Sequence, residues 1–178
     1  VLYPSEEEAE AVRRMEPKAN VRPIQAYALS APKSRAETAP ASSNIIFIGG
    51  FRHTPNVDAA VWLATEILPL IQRERADAKL IIAGSNPTRA VLARARPGVE
   101  VRGFVSDEEL ETIYAEARVA LCPLRFGAGV KLKVVEAMHR GVPVVTTTVG
   151  AQGLPDLSAL CDVADEAKYL AVATLRLL

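Results

Sequence analysis

From Asn44 onward the chain alternates short, unbroken apolar runs with amphipathic stretches. The runs are IIFIG (45–49), KLIIAG (79–84), VEVRGF (99–104), VALCPL (119–124) and PVVTTT (143–148), and the amphipathic stretches lie near 57–74, 87–95, 107–117, 130–140 and 166–177. Continuous runs rich in β-branched residues suit strands buried on both faces, and amphipathic helices are what buries them. The pattern predicts an α/β fold, a Rossmann-like doubly wound parallel sheet with right-handed crossovers. In such a sheet, ordered 3-2-1-4-5-6, the first and fourth strands are neighbours whose chains leave in opposite directions. Ligands bind in the crevice at their carboxyl ends.

The first 43 residues follow another pattern. Ser5 and Glu8 make a capping box, and Ala9, Val12 and Met15 form one apolar stripe, which predicts a helix over 6–15. VLYPS before it and NVRPIQAYAL (20–29) after it read as strands, a remnant too small to bury its own faces. Residues 30–43, SAPKSRAETAPASS, have the composition of a linker. The expected organisation is a remnant of a preceding domain at 1–29, a linker at 30–43 and a second domain at 44–178. The chain opens in mid-strand without methionine and stops without a helix stop signal, so the expectation is a piece of a longer protein, truncated at its C-terminus.

Composition narrows the chemistry. Lysine plus arginine number 21, as do aspartate plus glutamate, so the overall charge does not point to nucleic acid or an acidic membrane, and any anion site must be local. Cys122 and Cys161 sit in apolar runs, as small buried hydrophobes do in a reducing compartment. No apolar run approaches the roughly 18 residues of a membrane span, and the expected location is cytoplasmic. His53 and His139 have no metal-ligand spacing.

The crevice would be lined by GGFRHTPN (49–56), after the first strand, and PLRFGAGVK (123–131), after the fourth. Gly127 and Gly129 permit a tight turn and close backbone approach, and a helix starting near Val130 presents unpaired amides and its positive dipole end there. Arg125 and Lys131 add two positive charges, and Gly50 and Arg52 follow the first strand. The combination suits a diphosphate. Glu136, about a turn and a half into the helix, can accept hydrogen bonds from vicinal hydroxyls, as acidic residues do for ribose. Each feature also has a plainer explanation: GAG before a helix is a common turn, and Glu136 can cap a neighbour or face solvent. Lys133 falls at a spacing that faces solvent. His53, beside Arg52, and Thr147, within Thr146–Thr148 at the end of the fifth strand, would face the crevice, although a plain surface histidine and a plain strand exit explain them equally well. Trp62 reads as helix core.

The stretches FIGGFRHTPNVDAAVWLATEILPLI and VRGFVSDEELETIYAEARVALCPLRFGAGVKLKVVEAMHRGVPVVTTTVGAQGL together resemble the donor-binding half of group 1 glycosyltransferases with the GT-B fold. The likeness covers about residues 44–165, and GVKxKVVEAMxxGVPVVTT is its most specific part. It implies a retaining transfer of sugar from a nucleoside diphosphate sugar, in a cleft between two Rossmann-like domains, without a cofactor or obligatory metal. Residues 1–29 would then end the acceptor-binding domain, the N-terminal partner domain of the same chain, and 44–178 would be the donor domain. Glu136 matches the second glutamate of the E-x7-E pattern, which contacts the nucleotide ribose. Ala128 stands where the first glutamate is usual, and Gly50 and Pro55 stand where an arginine and a lysine are usual, so Arg125 and Lys131 would supply the missing charge. The fragment would be inactive alone, and the full-length protein could associate peripherally with the inner membrane. The alternative is a non-catalytic nucleotide-binding homologue. A dinucleotide oxidoreductase is disfavoured because GGFRHTPN lacks the G-x-G-x-x-G fingerprint.

Overall fold

The computed structural model of the chain describes residues 1–3, 5–24, 41–154 and 161–178. Six parallel strands form one sheet: β3 (Asn44–Ile48), β4 (Lys79–Ala83), β5 (Val99–Arg102), β6 (Val119–Cys122), β7 (Val144–Thr146) and β8 (Asp162–Val163). Their order, β5-β4-β3-β6-β7-β8, is the 3-2-1-4-5-6 arrangement expected from the sequence. β8 is an addition; a two-residue strand, one of them Asp162, is too short to show a strand period.

Alternate residues of each central strand enter opposite cores, because side chains point to opposite faces with period two. Ile45 and Phe47 of β3, Leu80 and Ile82 of β4, and Leu121 of β6 pack on one face. Ile46, Ile81, Ala120 and Cys122 pack on the other. The first face is covered by α2 (Thr54–Trp62), α3 (Leu68–Glu74) and α8 (Ala167–Leu177). The second is covered by α5 (Asp107–Glu116) and α6 (Leu132–His139). Trp62 is buried in the first core, as expected.

Helices α2 and α3 are one continuous rod joined by a π turn at Leu63–Ile67. Pro69 has no amide proton to offer the Thr65 carbonyl and its ring crowds that group, so the ladder widens just before it. The stretch expected near 87–95 is regular only over α4 (Arg89–Leu92), capped by the Thr88 hydroxyl. A further short helix, α7 (Thr148–Ala151), follows β7, an element that the sequence pattern did not predict. No helix among the described residues is long and apolar enough to cross a membrane.

At the N-terminus, β1 (Leu2–Tyr3) pairs in parallel with β2 (Arg22–Pro23), and α1 (Glu6–Met15) joins them. The Ser5 hydroxyl accepts from the Glu8 amide, and it also donates to the Glu8 carboxylate at 3.2 Å. Residues 25–29 of the second expected strand and 30–40 of the expected linker lie outside the described residues. Ser42 and Ser43, placed in that linker by composition, are fastened to the large sheet's domain instead. Ser42 Oγ donates to the Glu116 carbonyl at 2.5 Å and Ser43 Oγ to Asp77 at 2.6 Å.

Candidate functional site

β3 and β6 lie side by side, and their chains leave to opposite faces, β3 into α2 and β6 into α6. A cavity of about 500 Å³ opens at this divergence. The β3 side contributes Gly49, Gly50, His53, Pro55 and Asn56; the β6 side contributes Leu124, Gly127, Ala128, Val130, Lys131, Leu132, Lys133 and Glu136. The crevice expected from strand order is therefore present, and both expected loops line it.

The Gly127–Gly129 turn is built as the glycines suggest. Both take left-handed backbone, φ 123° and 77°, which any other residue would adopt at a cost. Helix α6 begins at Leu132, two residues later than expected, because Lys131 is still extended (φ −91°, ψ 91°) and serves as the N-cap. The Lys131 side chain is buried and its ammonium donates to the Gly129 carbonyl and, at 3.4 Å, to the Gly127 carbonyl. Lys131 thus closes the turn and carries its charge into the cavity wall.

Lys133 corrects the sequence expectation. Placed on the solvent face by spacing alone, it lines the cavity, and its ammonium donates to Asn56 Oδ1 at 2.6 Å and lies 5.5 Å from the centre of the Phe47 ring. Its stem passes Gly49, where an added Cβ would come within 3.2 Å of Lys133 Cε and 3.0 Å of the Asn56 amide. Burial lowers its pKa from the ordinary lysine value. The signal was available: Lys133 precedes Glu136 by three residues, so a helix puts both on one face. Asn56 gave no such sign, because its partner is 77 positions away.

Glu136 faces the cavity from the same helix, already held in place. The Tyr114 hydroxyl donates to one carboxylate oxygen at 3.4 Å, and Arg140 Nη1 donates to the other at 3.0 Å. Arg140 stacks 4.5 Å from the Tyr114 ring centre and also pairs with Glu111 at 2.9 Å. Burial first, and the Glu136 charge second, push the Tyr114 phenol above its ordinary pKa, so it stays a donor. These two side chains aim the carboxylate and leave it able to accept further bonds, since each of its oxygens has two lone pairs.

The remaining candidates are dispersed. Arg125 is outside the cavity lining: it makes a bidentate pair with Asp58 on α2, 2.5 and 2.8 Å, and lies 4.9 Å from the Trp62 ring centre. The hydrogen-bonded Asp58 carboxylate raises its already high pKa and neutralises its charge locally. Arg52 is exposed and also outside the lining. Gly50 and Val130 line the cavity; Gly129 bounds it only through the carbonyl that holds Lys131. His53 lines the rim as the residue before α2. Thr147 is buried away from the cavity, where its hydroxyl donates to the Leu124 carbonyl and accepts from the Gly150 amide, binding β7 to the β6 exit. His139 lies in the last turn of α6, outside the lining. The two cysteines are free; burial pushes the Cys122 thiol up to about 12. Among the described residues no cluster of His, Cys, Asp and Glu is placed to hold a metal ion.

Comparison with known proteins bears on this geometry. Residues 42–178 match the family described as glycosyl transferases group 1. An uncharacterised 44.6 kDa protein in the cps region of Klebsiella pneumoniae is 31% identical over 117 residues, 62% of this chain and 30% of that protein. The chain therefore spans less than a third of that relative's length. The crystal structure of TarM superposes with a TM-score of 0.78 at 14% identity, covering 99% of this chain and 36% of the other. Anabaena Alr3699/HepE, solved in complex with UDP and glucose, gives 0.69 at 16% identity, covering 99% and 52%. At these identities the structural likeness is one of fold, whereas the sequence match extends over most of the chain. The chain belongs to the group 1 glycosyl transferases.

Proposed function

We propose that the cavity between β3 and β6 binds the nucleoside diphosphate part of a sugar donor, and that the whole protein transfers that sugar with retention of configuration. The observation that carries the reading is the placement of a buried lysine, Lys131, a half-buried one, Lys133, and one oriented carboxylate, Glu136, around a single cavity at the strand divergence. A solved neighbour of the same fold holds UDP and glucose, which agrees with this ligand class.

In this reading the diphosphate lies against the Lys133 and Lys131 ammonium groups and the first amides of α6, and the ribose hydroxyls donate to Glu136. Breaking the bond between sugar and diphosphate concentrates negative charge on the departing oxygen. Fixed cations there stabilise the transition state more than the ground state, which is what accelerates the reaction. The departing oxygen itself takes the acceptor proton, as the resemblance implies, and the two lysines supply the positive charge, so the scheme is written without a metal ion or cofactor. Residues 1–29 belong to the acceptor domain and 44–178 to the donor domain, so this fragment binds donor without transferring sugar. The location proposed is cytoplasmic, with the full-length protein free to associate peripherally with the inner membrane.

One observation favours a second reading. Ala128 lines the cavity with a methyl group where the family pattern has a carboxylate, as a nucleotide-binding homologue without transfer activity would. Calorimetric titration with UDP, GDP and ADP and their sugar conjugates, repeated with Glu136→Ala, separates the readings. A transferase domain binds one diphosphate, weakens by about 1–2 kcal/mol on loss of the carboxylate, and responds to the sugar. A binding module shows no dependence on the sugar. Absence of binding by all three overturns the donor-site reading.

A further inference from the structure

We infer that Asn56 is a positioning residue of the diphosphate site: its side-chain amide joins the Gly50 carbonyl to the Lys133 ammonium and holds that ammonium at the cavity floor. The inference rests on the nucleotide reading of the cavity. It concerns a residue that contacts the chemistry only through another.

The geometry leaves the amide no choice of orientation. Asn56 Nδ2 donates to the Gly50 carbonyl at 2.7 Å and Oδ1 accepts from Lys133 Nζ at 2.6 Å. An ammonium only donates and a carbonyl only accepts, so a flipped amide would set donor against donor and acceptor against acceptor. Asn56 is itself buried, and its backbone is fixed in the first turn of α2 by a 3.0 Å bond from its amide to the His53 carbonyl. Gly49 keeps this arrangement possible, because a side chain there would press on both Asn56 and Lys133.

What distinguishes this lysine is the neutrality of its partner. Arg125 and Arg140, on either side of α6's start and end, are each paired with carboxylates, whereas the sole hydrogen-bond acceptor of Lys133 among the described residues is an uncharged amide. The other groups facing it do not compensate its charge. Phe47 from β3 offers a ring face, Cys122 from β6 a thiol kept protonated by burial, His53 lines the β3 side of the cavity, Lys131 on the same side as Lys133 is itself a cation, and Glu136 is engaged by Arg140 and Tyr114. Burial penalises the uncompensated ammonium, so it is held in order but left short of an anion. A bound diphosphate supplies that anion. An aspartate at position 56 would have the same shape and would cancel the charge beforehand.

The test uses the 178-residue chain, the diphosphate that binds best among UDP, GDP and ADP, and four variants: Asn56→Ala, Asn56→Asp, Lys133→Met and the Asn56→Ala/Lys133→Met double. Affinity is measured at pH 7, and the Lys133 side-chain titration is followed by NMR with [ε-13C]lysine. Asn56→Ala is expected to weaken binding about tenfold in the wild-type background and to change nothing in the Lys133→Met background, the signature of action through the lysine. Asn56→Asp is expected to weaken binding by more than Asn56→Ala and to move the Lys133 titration to higher pH, because an adjacent carboxylate favours the charged form. The aspartate keeps the amide's outline but sets an oxygen against the Gly50 carbonyl in place of a donor; should the alanine variant fail to fold, the shift of the Lys133 titration in folded Asn56→Asp carries the test. Equal losses from Asn56→Ala with and without Lys133, or wild-type affinity in both Asn56 variants, overturn the inference while leaving the nucleotide site standing. Failure of the wild-type chain to bind any diphosphate overturns the nucleotide reading and the inference with it.

Discussion

Arg125 and Lys133 flank the same glycine turn, eight positions apart, and reach opposite electrostatic states. Arg125 leaves the turn toward α2, where Asp58 takes both arms of its guanidinium and Trp62 underlies it. Lys133 leaves the turn inward, past Gly49, and meets only a neutral amide and a ring face. A charge already paired at 2.5 Å has little left to give an incoming anion, whereas a desolvated ammonium with a neutral partner gains a good deal from one. Closeness to a glycine-rich turn therefore does not by itself make a cation a phosphate ligand; what matters is which neighbours share its face.

Three substitutions test the contrast, beginning with the largest effect. Lys133→Met should weaken nucleoside diphosphate binding by about 3 kcal/mol, the upper end for a hydrogen bond to a charged group, as read by calorimetry. Wild-type affinity in this variant would remove the inward lysine from the site. Lys131→Ala should cost roughly 1.5–3 kcal/mol of the same affinity, and an unchanged value would confine Lys131 to closing the turn.

Stability should move the other way. At pH 7 Lys133→Met should not lower the thermal midpoint and should stabilise the fold by about 1 kcal/mol, because it removes an uncompensated buried charge. The pH dependence has a definite sign. Lys133 titrates below an ordinary lysine when folded, so between its folded and unfolded pKa values the unfolded chain binds more protons. Wild-type stability therefore recovers as pH rises through that window, and the advantage of Lys133→Met shrinks there. Denaturant melts at pH 7 and above pH 9 would show it.

Arg125→Ala is the smallest perturbation. Diphosphate affinity should stay within experimental error, and stability should fall by about 0–1 kcal/mol, as for other solvent-exposed ion pairs. A loss of affinity comparable to that of Lys133→Met would erase the distinction between the two cations.

Much of the fold was legible in the order of residues. The unbroken apolar runs located five of the six strands of the large sheet, and their alternation with amphipathic stretches led to the strand order and hence to the divergence of β3 and β6. The left-handed Gly127–Gly129 turn was legible in residue type, since such backbone has few suppliers, and the position of Glu136 at the cavity followed from its place in the helix. β8 and α7 were missed because two and four residues are too short to show a period. Lys133 was misplaced by judging its spacing against solvent rather than against Glu136.

By itself, the sequence determined the layered sheet, the position of the crevice and the glycine turn at its mouth, because these depend on local periodicity and on backbone conformations that few residue types adopt. Only the tertiary structure decided which cation serves the cavity. Arg125 meets Asp58 across 67 positions and Lys133 meets Asn56 across 77. Such pairs are set by the register of β3 against β6 and by the rotation of α6 about its axis, quantities to which no short stretch of sequence is tied.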